Sequence, residues 1–245
     1  MGLAVAIVGY RVYPLSQTVQ DQVDDLEAAF ETLVEEYPQW CDSCDSNHEK
    51  EDGDDNHHYG TIVMGHSSGA HIALLWLVDR VKRRMRLPKQ ESNPIITTFV
   101  GMSGPYNIEH HFDYEAARGV EEISPLKPCN GYTREQFLRN SPVCRLQDVL
   151  KDVSSESGMQ DYFPRWSLLI HGIEDDTVPF TASCEAARVL RSCGVTSCDE
   201  IYVPETGHQD CVVALMLGGR AQTEIVEWLK TASGGRVESP LRSKL

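Results

Sequence analysis

Residues 63–71, VMGHSSGAH, constrain the fold of this 245-residue chain more than any other segment. They contain the pattern Gly-x-Ser-x-Gly, with Ser67 at its centre. The β-branched run YGTIVMG before it predicts a strand, and AHIALLWLVDRVKRRM after it predicts a helix with a basic end. Glycines are expected on both sides because a tight turn leaves space only for small side chains. Strand, turn and helix together predict an exposed, reactive serine, whereas a plain turn with a capping serine is the alternative.

Strand and helix patterns alternate along the rest of the chain. Strands are predicted at 3–14, 59–65, 93–104, 165–172 and 197–204, and helices at 18–37, 70–85, 181–194 and 211–230, the last one broken. In the first helix one face carries the apolar residues Val19, Val23, Leu26, Phe30, Leu33 and Val34. This alternation predicts an α/β protein with a mostly parallel, doubly wound sheet.

The length suits a single α/β domain, which we place at residues 1–232 and follow with a flexible tail at 233–245. Residues 41–58 are acidic and poor in apolar side chains, which predicts an exposed and poorly ordered insertion. Residues 105–160 carry many loop signals, and we interpret them as a cap-like region over the pocket.

Charge and composition exclude several classes of partner. The net charge of −15 argues against binding to nucleic acid or to an anionic membrane surface. No apolar run approaches the roughly 20 residues that a membrane span needs. The eight cysteines are interpreted as free thiols in a reducing compartment, because the N-terminal residues do not form a secretion signal.

A serine hydroxyl needs a general base, and the base needs a carboxylate that holds it in the correct tautomer. Candidates for both partners follow Ser67 in the chain. Asp175 and Asp176 come just after one predicted strand, and His208 comes just after the next. The carboxyl ends of parallel strands are where open α/β sheets build their sites. Turn-forming aspartates and a surface histidine are the alternative reading of the same residues.

These motifs together resemble the serine hydrolases of the α/β-hydrolase fold, in their esterase branch. GHSSGAH, HGIEDDTVPF and ETGH resemble the nucleophile, acid and histidine segments, and VGYRVYP resembles the family's YRLxP strand end. Residues 101–128 are similar to the segment after the nucleophile in isoprenylcysteine methylesterases and kynurenine formamidases. The resemblance implies that Ser67 is the nucleophile, His208 the base and Asp175, rather than Asp176, the orienting acid.

Acyl transfer also needs donors for the oxyanion, and one of them is the backbone N–H after the nucleophile, here that of Ser68. The resemblance implies further donors from a His-Gly-Gly loop ahead of the YRLxP strand, but the only His-Gly pair here is His171-Gly172. We therefore expect the family's N-terminal strands and this oxyanion loop to be absent. Their loss would give the chain low solubility and slow ester turnover. An internally started gene product and a catalytically inactive binding module are the two explanations.

The expected activity is hydrolysis of a small-molecule carboxylic ester through an acyl-enzyme, without a cofactor. The resemblance implies a prenylcysteine methyl ester as substrate, with arylformamidase and carbohydrate esterase activities as alternatives. A zinc site formed by Cys41 and Cys44 with His48, His57 and His58 is disfavoured, because no second C-x-x-C exists. Oligomeric state and compartment stay open: the chain as written suits the cytoplasm, and a further N-terminal segment would allow membrane association.

Overall fold

A computed structural model describes residues 4–38, 60–86, 96–152, 162–195 and 197–233. The expected acidic insertion at 41–58, with its Cys41–Cys44 pair and neighbouring histidines, lies outside the described residues. The same holds for the tail beyond residue 233.

The described part of the chain forms a four-stranded parallel sheet. Its strands are β1 (Thr61–His66), β2 (Ile96–Met102), β3 (Trp166–Gly172) and β4 (Cys198–Val203), and they pair in the order β1-β2-β3-β4. Each strand pairs with the next in parallel register, and β1 begins with a register irregularity between Thr61 and Ile62. The carboxyl ends of all four strands therefore lie at one edge of the sheet, as the alternating pattern predicts.

The helices connect the strands and follow the last of them. They are α1 (Val19–Glu36), α2 (Ser68–Arg86), α3 (Ile108–Ala117), α4 (Lys127–Asn130), α5 (Arg134–Arg139), α6 (Pro142–Asp152), α7 (Thr181–Ser192), α8 (Asp210–Leu217) and α9 (Arg220–Ser233), with a 3₁₀ turn at Glu121–Ile123. The region at 105–160 is thus largely helical where it is described. Gly218 and Gly219 separate α8 from α9, so the predicted broken helix is two helices.

Two apolar clusters cover the two faces of the sheet. One cluster packs α1, α2, α6 and α7 against side chains such as Phe99 and Leu169. The other packs α8 and α9 against Val100, Leu168 and Ile170. Helices on both faces of a parallel sheet are the arrangement that the strand–helix alternation predicts. Among the described residues, no helix is both long and apolar enough to cross a membrane.

The first helix begins and packs as its sequence predicts. Thr18 caps it: the Thr18 hydroxyl accepts the Asp21 N–H at 3.2 Å, and the Asp21 carboxylate accepts the Thr18 N–H at 2.8 Å. Val19, Val23 and Phe30 are buried, and Leu26 and Val34 pack against the same cluster. This capping box and the apolar face fix α1 beside α2.

The strand predicted at residues 3–14 is wrong for the part that the structure describes. Residues 4–12 form no strand, and the Val5 and Ile7 side chains are 79% and 93% exposed. A β-branched run becomes a strand only where a neighbouring strand accepts its hydrogen bonds, and no described strand pairs with this segment. An ion pair anchors it to α1 instead: Arg11 Nη2 lies 2.7 Å from the Asp25 carboxylate.

Candidate active site

The turn between β1 and α2 holds Ser67 in a strained conformation. Its φ of 54° is a left-handed value that residues other than glycine rarely adopt. The Ser67 N–H donates to the Met102 carbonyl at the end of β2 at 2.9 Å, and the Ser67 carbonyl accepts the Ala70 N–H of the first turn of α2. The tight strand-to-helix turn predicted from Gly-x-Ser-x-Gly is therefore present.

The two glycines of this turn are under different constraints. A Cβ on Gly65 would lie 2.5 Å from the Gly69 carbonyl oxygen and 2.6 Å from the Ala70 nitrogen, which are backbone atoms that cannot move aside. A Cβ on Gly69 would meet no described atom within 4 Å outside its chain neighbours and the backbone of its own helix. Steric crowding thus explains Gly65, and the expectation that crowding also requires Gly69 is wrong.

The structure brings Ser67, His208 and Asp175 together at the carboxyl edge of the sheet. The Ser67 Oγ lies 2.9 Å from His208 Nε2, and His208 Nδ1 lies 2.7 Å from Asp175 Oδ2. A carboxylate can only accept, so His208 Nδ1 carries the proton. His208 Nε2 is then the acceptor for the serine hydroxyl, which is the tautomer that a general base needs.

Asp175 is well suited to remain ionised. Its side chain is fully buried, and Oδ1 accepts the N–H groups of Thr177 at 3.0 Å and Val178 at 2.8 Å. Burial alone would raise the pKa of Asp175. The hydrogen bonds from His171, His208 and Val178 favour the carboxylate more strongly, and the pKa lies below its ordinary value.

Neither neighbouring acid occupies that position. The Asp176 side chain is 82% exposed, and the backbone carbonyl of Asp176 accepts the Tyr114 hydroxyl of α3 at 3.1 Å. Glu174 turns toward the loop after β4, where Oε2 accepts the Thr206 N–H at 3.0 Å. Of the three consecutive acids, Asp175 alone hydrogen-bonds to His208.

Ser68 is the first residue of α2, so its N–H points out of the helix N-terminus. The first N–H groups of a helix have no intrahelical acceptor, and the helix dipole makes this end attractive to an anion. The Ser68 side chain is held separately, because its Oγ lies 2.9 Å from the Tyr10 hydroxyl.

Three residues near this site were not identified from the sequence. His66 Nε2 lies 2.8 Å from the His208 carbonyl oxygen. His171 Nε2 lies 2.9 Å from the Val178 carbonyl and 3.2 Å from Asp175 Oδ2, while its Nδ1 lies 2.8 Å from the Ser183 hydroxyl. Both histidines, and Tyr10, stand inside motifs that the sequence analysis quotes. The partners of His66 and Tyr10 are distant in the chain, whereas the turn after β3 brings the partners of His171 to it.

The described residues contain no group of three or more histidine, cysteine, aspartate or glutamate side chains that could hold a metal ion. The adjacent histidines His110 and His111 each contact a different acid. His110 Nδ1 lies 2.9 Å from the Glu185 carboxylate, and the buried His111 lies 3.2 Å from Glu115. The six cysteines in the described segments carry free thiols.

The fold is that of the α/β-hydrolases, because a parallel sheet carries helices on both faces and a serine turn after β1. Comparison with solved structures supports this fold. Esterase B from Lactobacillus rhamnosis superposes with a TM-score of 0.62 at 16% identity, over 92% of this chain and 65% of that one. An acetyl ester-xyloside bifunctional hydrolase from Caldicellulosiruptor lactoaceticus gives 0.56 at 18% identity, over 92% and 68%. At these identities the likeness establishes the fold.

Curated relatives resemble the chain more closely in sequence. A probable isoprenylcysteine alpha-carbonyl methylesterase of Oryza sativa subsp. japonica is 30% identical over 222 residues, which cover 89% of this chain and 47% of the relative. An isoprenylcysteine alpha-carbonyl methylesterase of Arabidopsis thaliana is 27% identical over 212 residues, 85% of this chain and 43% of the relative. The chain spans about half the length of these relatives, and no family model matches it. The resemblance to esterases of the α/β-hydrolase fold is confirmed.

Proposed function

We propose that this chain hydrolyses carboxylic esters through an acyl-enzyme formed on Ser67. The observation that carries the proposal is the His208 imidazole, which hydrogen-bonds to the Ser67 hydroxyl on one side and to the Asp175 carboxylate on the other. The curated relatives, which are named as methylesterases, support the same reaction class.

In the first half-reaction, Ser67 Oγ attacks the ester carbonyl carbon while His208 Nε2 takes the hydroxyl proton. The buried Asp175 carboxylate stabilises the imidazolium that forms, because the His208 Nδ1–H points at it over 2.7 Å. In this proposal the Ser68 N–H at the N-terminus of α2 donates to the oxyanion. When the tetrahedral intermediate collapses, the C–O bond to the leaving group breaks, and the imidazolium returns its proton to the departing alkoxide.

The second half-reaction reverses these roles with water. His208 takes a proton from a water molecule, whose oxygen attacks the acyl carbon of the Ser67 ester. The second tetrahedral intermediate breaks the bond to Ser67 Oγ, which recovers its proton from the imidazolium. The products are a carboxylic acid and an alcohol, and the protein ends in its starting protonation state.

We further propose a prenylcysteine methyl ester as the substrate. Support comes from the relatives' names, and α8, the helix that follows His208 in the chain, offers a candidate apolar surface for the hydrocarbon chain. Helix α8 begins two residues after His208, and its Met216 and Leu217 side chains are 80% and 81% exposed. An apolar surface of this kind suits a substrate with a long hydrocarbon chain. Arylformamides and acetylated sugars are the alternative substrates.

The triad is tested by hydrolysis of p-nitrophenyl acetate and by labelling of Ser67 with an aryl phosphonate, detected by intact mass. Ser67→Ala should abolish both signals. Asp175→Asn should lower kcat by about 1,000- to 10,000-fold, because an amide no longer selects the reactive His208 tautomer. The matched control is Asp176→Asn, one residue away and exposed, which should change kcat less than about twofold. Equal losses in the two aspartate variants would overturn the assignment of the acid.

The substrate is tested by comparing kcat/KM for S-farnesylcysteine methyl ester with that for S-methylcysteine methyl ester. Binding of the farnesyl chain should raise kcat/KM by at least about tenfold, since burial of a few methylene groups already contributes more than 1.4 kcal/mol. Met216→Ser with Leu217→Ser should remove that preference and spare p-nitrophenyl acetate hydrolysis. Faster turnover of an aryl formamide or an acetylated xyloside would replace the prenylcysteine assignment. A chain that neither turns over nor labels would favour the other two explanations, an inactive binding module or an internally started gene product.

A further inference from the structure

His66 is the residue immediately before Ser67 and the last residue of β1. Side chains along a strand alternate between its two faces, so His66 points to the same side as Ile62. Ile62 packs against the apolar cluster of α8 and α9, and His208 lies in the loop that leads into α8. The strand geometry therefore directs His66 toward the backbone that carries His208.

The contact between these two histidines is specific. His66 Nε2 lies 2.8 Å from the His208 carbonyl oxygen, and the two rings are 4.9 Å apart at 46°. A carbonyl only accepts, so the hydrogen bond requires the His66 tautomer with its proton on Nε2. Burial lowers the pKa of His66, which keeps the ring neutral near neutral pH and avoids a second cation beside the His208 imidazolium.

We propose that His66 is a positioning residue for His208: its Nε2–H bond to the His208 carbonyl holds the histidine loop against the serine turn. His66 acts on catalysis through His208, because its ring hydrogen-bonds to the His208 backbone carbonyl. The Ser67 hydroxyl is hydrogen-bonded to the His208 ring. Ser67 follows β1 and His208 lies in the loop after β4. These are the two outer strands of the described four-stranded sheet. The His66 bond connects these two loops directly.

The loop after β4 has other supports, which limits what the loss of His66 can do. The Gly207 N–H donates to the Asp210 carboxylate at 2.7 Å, and the Thr206 N–H donates to Glu174 at 3.0 Å. Without His66 the loop should therefore stay folded, but its position relative to the serine turn should no longer be fixed. A small displacement there acts on proton transfer between Ser67 and His208, and hence on kcat more than on KM.

The test compares His66→Leu with His66→Gln. Leucine removes the donor and keeps comparable bulk, whereas the glutamine amide can place an N–H close to the position of Nε2. His66→Leu should lower kcat for p-nitrophenyl acetate by about tenfold, the effect of one neutral hydrogen bond expressed in the transition state, with KM changed less than twofold. His66→Gln should recover most of that loss.

Hydrogen exchange of residues 204–210, followed by mass spectrometry, gives a readout that needs no turnover. Exchange in this segment should be faster in His66→Leu than in the unsubstituted chain and should return toward it in His66→Gln. Unchanged kcat and exchange in His66→Leu, or equal impairment in the two variants, would overturn the proposal. If the unsubstituted chain hydrolyses no ester, the proposed function fails, while the exchange comparison still decides whether His66 holds the loop.

Discussion

The buried His71 of α2 predicts how the stability of this protein responds to pH. Its side chain is 1% exposed, and Nε2 lies 2.7 Å from the Asn140 carbonyl oxygen, to which it donates. Burial is the largest cause that lowers the pKa of His71 to about 4, and the nearby Arg145 and His111 act in the same direction. The Asn140 carbonyl opposes the shift only in part.

The size of the effect follows from linkage. The unfolded chain binds a proton at His71 below a pKa of about 6.5, whereas the folded protein does so only near 4. Between these two values the unfolded state holds more protons, so stability is present above pH 6.5 and is lost as the pH falls toward 4. Each pH unit costs about 1.4 kcal/mol, so the loss at pH 5 is about 2 kcal/mol.

His71→Gln removes the titrating group and retains an amide donor for the Asn140 carbonyl. Urea unfolding of both proteins, followed by circular dichroism at pH 7 and pH 5, measures the difference. The unsubstituted protein should lose about 2 kcal/mol more than His71→Gln between these pH values, because every other titrating group is common to both. Parallel pH dependences would show that His71 becomes protonated in the folded state, and would refute the reasoning.

Two further predictions concern the serine turn. Gly65→Ala should destabilise the fold by about 1–3 kcal/mol in urea unfolding because its Cβ meets backbone, while Gly69→Ala should be neutral or slightly stabilising; similar losses in both would contradict the steric account. Tyr10→Phe and Ser68→Ala should each cost about 0.5–1.5 kcal/mol and should be non-additive when combined, since both remove the same 2.9 Å hydrogen bond; an additive double variant would show that the two hydroxyls do not interact.

The sequence predicts the four strands of the described sheet because they follow from local patterns of apolar residues, and it predicts the site residues because these stand in short motifs. Short apolar or β-branched runs identify β1 to β4, and the HGIEDDTVPF motif favours Asp175 over Asp176. The structure places Asp175 against His208 and leaves Asp176 exposed. The roles of these residues in catalysis stay a prediction.

What the sequence could not predict depends on partners distant in the chain. Residues 4–12 have strong β propensity, yet propensity cannot supply the neighbouring strand that would accept their hydrogen bonds. The side-chain bond of His66 crosses 142 residues, and periodicity carries no information about it. Gly69 shows that a motif can also mislead. Its place in Gly-x-Ser-x-Gly predicts steric crowding, but a Cβ there would meet no crowding in the described structure.

The geometry of the site is set by bonds between loops as much as by the strands beneath them. Glu174 and Thr206 exchange two bonds, from the Glu174 N–H to the Thr206 carbonyl at 3.2 Å and from the Thr206 N–H to the Glu174 carboxylate at 3.0 Å. Gly172 permits this approach, because a Cβ there would lie 2.1 Å from the Thr206 carbonyl oxygen. These contacts join the acid loop to the histidine loop, and the bond from His66 to the His208 carbonyl joins the histidine loop to the serine turn. All three loops are thus connected directly, so the distances that proton transfer requires can be kept even where a strand below shifts slightly.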